Sequence, residues 1–160
     1  MDLDEKTVLE HEEGYFTITV PIVNENYNML SNLTVTYNEK FDRVQYVETH
    51  FQESENGFFK VLHYLNGRLL AETETEYEFI DNEEFEEQFQ ELEMVLNNPR
   101  ARSVSCTLNH LVIGIVVAGL LTAACLPICI ATVGQGCAVC FGTFVAATPV
   151  VINNIVRCWR

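Results

Sequence analysis

Apolar and polar residues alternate with a period of two through residues 14–80, in "GYFTITVPI", "NLTVTYNEKF", "RVQYVETHF" and "NGFFKVLHYLNGRLLAETETEYEF". Runs rich in aromatic and β-branched residues with this period predict an antiparallel β meander. Asn66-Gly67 falls between two such runs. A two-residue type I′ turn needs positive φ at both positions, so the pair predicts a tight hairpin. Asn56-Gly57 predicts a second turn. Glu72, Glu74, Glu76 and Glu78 would then share one strand face, either solvated or serving as an acidic surface for a cationic segment.

The period changes at residue 80. In "IDNEEFEEQFQELEMVLNN" Phe85, Phe89, Leu92 and Leu96 fall on one helical stripe. Asp81 with Glu84 suits a capping box, and Asn97-Asn98-Pro99 ends the helix. After residue 110 the patterning disappears. Residues 111–133, "LVIGIVVAGLLTAACLPICIATV", are uncharged and long enough to cross a bilayer as a helix. "GQG" at 134–136 breaks the run, and residues 137–156 supply a second apolar stretch. Gly114/Ala118 and Gly119/Ala123 are small residues four apart, a spacing that lets helices approach closely. Pro127 and Pro149 should kink or divide the segments, so several shorter helices compete with a two-helix hairpin. The expected fold is α+β: an N-terminal antiparallel meander with one amphipathic helix, followed by an apolar disulfide-rich α-helical hairpin or small bundle.

Charge divides the chain at the same place. All 23 Asp and Glu lie between Asp2 and Glu93, and residues 103–160 contain only Arg157 and Arg160 as charged side chains. The net charge of −14 therefore conceals a strongly anionic front and a weakly cationic tail. Three parts follow: an acidic domain over 1–97 with a propeptide or immunity-like role, a processing linker over 98–105, and an apolar cysteine-rich peptide over 106–160. The linker contains Pro99, Arg100, Arg102 and Ser103, a composition typical of exposed chain where proteases cut. Cleavage after Arg102 would release Ser103–Arg160. The competing reading is an uncut linker with membrane-flanking arginines.

The six cysteines, Cys106, Cys125, Cys129, Cys137, Cys140 and Cys158, all lie in the tail. Such density and an even number point to disulfides. In a hairpin, Cys106 and Cys158 would close the open end while the central four pair across the bend. Buried apolar thiols are the bland alternative. Zinc at the central four is disfavoured by their aliphatic flanks, and a lone CxxC at Cys137–Cys140 lacks the βαβ context of a redox motif. No catalytic constellation or cofactor motif emerges: His11, His50 and His63 are isolated and read as surface or sheet-face residues. The anionic front disfavours nucleic acid as a partner.

The spacing Cys125-Leu-Pro-Ile-Cys129 followed by Cys129-Ile-Ala-Thr-Val-Gly-Gln-Gly-Cys137 resembles the central pattern of the cysteine-rich microhalocins and their halocin-like bacteriocin relatives. The resemblance is confined to the tail. It implies a secreted antimicrobial peptide cut from the C-terminus of a larger precursor, whose N-terminal part can bind the peptide and protect the producer. This tail has fewer cysteines than the best-known members and lacks their acidic residues. The first sixteen residues carry no basic segment followed by an apolar run, so export would need dedicated machinery.

The expectation is a non-enzymatic bacteriocin precursor without cofactor or metal, secreted after processing. Its partners would be target-cell membrane lipids, its own N-terminal domain or an immunity protein, and the export machinery. Arg157, Trp159 and Arg160 would contact the membrane surface, and the apolar body would then bury itself. The alternative is a cell-membrane protein with a cytosolic acidic domain on a two-helix transmembrane hairpin. Arg100 and Arg102 before the first span, with Arg157 and Arg160 after the second, suit that orientation.

Overall fold

The computed structural model of the protein describes residues 6–11, 14–97, 110–131 and 140, with the backbone alone for Phe89, residues 91–97 and residues 110–114. The processing residues Arg100, Arg102 and Ser103 lie outside the described residues. So do Cys106, Cys137, Cys158, Arg157, Trp159 and Arg160, and the second apolar stretch apart from Cys140.

Six strands form a single antiparallel sheet in sequence order: β1 (Thr7–Glu10), β2 (Phe16–Pro21), β3 (Asn32–Tyr37), β4 (Arg43–Glu53), β5 (Phe58–Leu65) and β6 (Arg68–Glu78). Five of these strands carry the alternation read from the sequence. The short edge strand β1 does not stand out there, because four residues among acidic neighbours give too brief a pattern. Pairing with β2, from Thr7 opposite Thr19 to Glu10 opposite Phe16, is what fixes it. At the β5–β6 hairpin Asn66 and Gly67 have φ of 50° and 77°, as the I′ turn requires. The Asn66 side-chain oxygen also accepts from the Tyr46 N–H at 3.0 Å, tying the turn to β4.

Helix α1 (Asn82–Asn97) follows the sheet directly. Asp81 caps it: the Asp81 Oδ1 accepts from the Glu84 N–H at 2.9 Å. The β2–β3 loop holds this corner in place. The Asn28 side chain, fully buried, donates to the Ile80 carbonyl at 3.1 Å, and Asn82 accepts from the Met29 N–H at 2.6 Å. Of the apolar stripe, Phe85 is fully buried, while the side chains of Phe89, Leu92 and Leu96 lie outside the described residues.

Helix α2 (His110–Ala131) takes up most of the charge-free stretch and runs without interruption through Pro127. It does not stand apart from the acidic half. One hydrophobic core contains Val47, Phe51, Phe59, Val61 and Phe85 together with Val116, Val117, Leu120, Ala124, Cys125, Ile128 and Cys140. The expected α+β class with an N-terminal meander is therefore observed. Of the expected hairpin, the described residues show one helix and one cross-link at its C-terminal end.

Candidate functional site

The inner face of β4, β5 and β6 is built by alternation. Val47 and Phe51, then Phe59, Val61 and His63, then Ala71, Thr73, Thr75 and Tyr77 point to one side, where α2 lies. The intervening residues of β6 are Glu72, Glu74, Glu76 and Glu78, all exposed on the opposite side. The acidic row thus faces away from α2, on one exposed strand face as the alternation expects. Lys60 forms an ion pair with Glu72 on that outer face. The hydrogen bond to Glu72 and the nearby carboxylates raise the pKa of the Lys60 ammonium.

Two contacts give the seat its shape. The first is steric: a Cβ placed on Gly119 would come within 2.2–2.3 Å of the Cε2, Cζ and hydroxyl oxygen of Tyr77, so the helix backbone rests directly on β6 at that point. The small residue at 119 serves approach to an aromatic ring on the sheet rather than to another helix. Gly119→Ala is expected to destabilise the docked helix. Overpacking against the ring costs roughly 1–3 kcal/mol, more than the approximately 1 kcal/mol that alanine gains in helix propensity. A lowered urea midpoint, partly recovered by adding Tyr77→Ser, would report the clash.

The second contact is polar. His63 is fully buried on β5 opposite Thr49, and its Nδ1 lies 3.2 Å from the Thr49 hydroxyl. Its Nε2 has no hydrogen-bond partner among the described residues. Burial depresses the pKa of His63 from 6.5 to about 4, with His50 adding to the depression and the Ala123 backbone opposing it. His63 is therefore neutral above pH 5. This residue reads from sequence as a sheet-face histidine. The odd-numbered apolar positions of "FFKVLHYL" include it on the same face as Phe59 and Val61, a sign of burial available beforehand.

The other histidines are placed differently. His50 lies on the outer face between the rings of Tyr27 and Tyr64, at 4.6 and 5.2 Å, with the Glu48 carboxylate 3.4 Å from its Nε2. His11 Nε2 meets the Thr17 hydroxyl at 3.1 Å. Among the described residues no group of His, Cys, Asp and Glu could hold a metal ion.

Cys125 and Cys140 form a disulfide with a Cα–Cα distance of 5.6 Å, bringing position 140 back beside α2. Cys129 is also disulfide-bonded. No described cysteine is free. A loop of this length stabilises the folded chain by about 3 kcal/mol in the chain-entropy account.

The outward face of α2 is as apolar as its buried one: Ile115, Leu126 and Ile130 are exposed, the last at 72%. Among the described residues no helix is long and apolar enough to cross a membrane. No family model, curated protein or solved structure matches the chain.

Proposed function

We propose that the chain is the precursor of a secreted halocin-like antimicrobial peptide. The acidic domain over 1–97 masks the peptide or gives immunity, and Ser103–Arg160 is released at the 98–105 linker. The observation that carries this reading is the seating of α2. A charge-free helix, apolar on every side, closes one of its faces against the apolar inner face of a sheet that belongs to the acidic half. Release would expose Val116, Val117, Leu120 and Ile128 alongside the already exposed Ile115, Leu126 and Ile130. A peptide built on a helix apolar all round, and carrying Arg157 and Arg160 at its C-terminal end, is drawn to anionic lipid and buries its apolar surface there. The Cys125–Cys140 bond supports the same reading, because a small peptide without a large core needs covalent bracing. Membrane disruption then needs no catalysis, cofactor or metal.

The test is fractionation of producing cells with intact-mass analysis of medium and membrane. The reading expects a medium species of residues 103–160, lighter by a pair of hydrogens per disulfide, that inhibits growth of neighbouring cells. Adding the 1–97 domain should reduce that inhibition. Full-length protein confined to the membrane fraction, with alkylatable thiols and no inhibitory species, would instead establish the two-helix anchor on a cytosolic acidic domain.

A further inference from the structure

Cys125 and Cys129 stand one turn apart on α2, and both are disulfide-bonded. Their surroundings differ. Cys125 has no exposed surface, and its partner Cys140 is 8% exposed. Both belong to the core that contains Phe51, Phe59, Val61 and Phe85. Cys129 lies at the margin of that core and is only partly buried. Helical geometry is the reason: each residue turns by about 100°, so four residues advance a side chain about 40° around the axis. Here that rotation leads away from the buried Ala124 and Ile128 and towards the exposed Leu126 and Ile130.

A disulfide is reduced by direct attack. The thiolate of a dithiol reductant bonds to one sulfur, and the other leaves as a thiolate that takes up a proton. The reductant's second thiol then closes on its first sulfur and releases the remaining cysteine. Two electrons pass from the dithiol, which becomes a disulfide, to the protein bond, which becomes two thiols. The first step needs a sulfur that the reductant can reach. At Cys125–Cys140 the apolar side chains of the sheet and α2 close that approach. Attack therefore waits until α2 lifts from the sheet, an opening that grows rarer as docking becomes more stable.

We infer that the sheet is a redox guard for the apolar tail. It shields Cys125–Cys140 from dithiol reductants and leaves the bond of Cys129 as the one a reductant opens first. The acidic half thus has a chemical role besides covering apolar surface. The cross-link that returns position 140 to α2 survives in reducing surroundings for as long as the helix stays docked. Once helix and sheet part, the same bond is as reducible as any other. The inference concerns the intact chain and stands whether or not the tail is later released.

The test uses the full-length oxidised protein at neutral pH with dithiothreitol as the reductant. Samples are quenched over time with an alkylating agent, and fragment-ion mass spectrometry locates each label. Cys129 is expected to be labelled first. Cys125 and Cys140 should follow about a hundredfold more slowly, and by no less than about tenfold. Urea should raise the rate at Cys125 and Cys140 steeply, until in the unfolded chain they react about as fast as Cys129. Phe85→Ala, which loosens the shared core, should speed labelling of Cys125 and Cys140 and leave Cys129 unchanged. A difference below about tenfold in the native protein, or label reaching Cys125 or Cys140 before Cys129, would overturn the inference. Both readings come from the unsubstituted protein, so the result does not depend on the variant folding.

Discussion

Phe85→Ala is expected to lower the stability of the protein by about 3–5 kcal/mol, the cost of deleting a fully buried phenylalanine. Phe85 is completely buried where the sheet, α1 and α2 meet, in the same core as Phe59, Val61 and Leu120. The loss would consume much of the roughly 5–15 kcal/mol by which a typical domain exceeds its unfolded state. Nothing else on the described part of α1 can compensate. Glu83, Glu84, Glu86 and Glu87 are exposed, and a sixteen-residue helix is marginal without tertiary packing. Phe85→Leu keeps an apolar side chain there and should retain most of the stability. Urea midpoints for the two variants, with binding of a hydrophobic dye to follow the uncovering of α2, make the comparison. A loss below about 1 kcal/mol for Phe85→Ala would mean that the helices are held independently of this ring.

Acidification is expected to loosen the same core through His63. The folded-state pKa is lowered to about 4 from the ordinary 6.5, chiefly by burial. The unfolded chain therefore binds the proton first as pH falls. Stability is complete above the ordinary value, declines between pH 6.5 and about 4, and levels off below that. The full difference amounts to roughly 3 kcal/mol. Protonating the many carboxylates of the acidic half acts in the other direction at the lower end of this window, by relieving repulsion among them. The diagnostic quantity is thus the difference between the protein and His63→Gln, which cannot titrate. Thermal midpoints of the two proteins at about pH 7 and about pH 4.5 should converge as pH falls, with His63 giving up its advantage. Parallel curves for the two proteins would remove the histidine from the account.

The architecture of the front half was legible because its signals are local. Alternation through "NLTVTYNEKF" and "NGFFKVLHYLNG" fixes which side chains share a face, and the Asn66-Gly67 turn fixes the hairpin, whose β5–β6 ladder shifts register within β5. Asp81 announces the start of α1 by the hydrogen bond it makes three residues on. Helix α2 was legible as a helix from length and apolarity alone. Its interruption at Pro127 was not realised, since a proline inside a helix that packs along a sheet removes one donor without forcing the chain apart. The row of glutamates on β6 could be placed on one face, yet the face chosen for α2 was the other.

The amino-acid sequence by itself determined the meander, the two helices and the sharp divide between acidic and uncharged parts, because periodicity, turn chemistry and charge act between near neighbours. Only the tertiary structure decided that α2 completes the core of the sheet, that Gly119 seats on Tyr77, and that His63 is fully buried. An α2 that is apolar on every side carries no mark of which side is to be buried. That choice is made by shape, which exists only when distant segments pack.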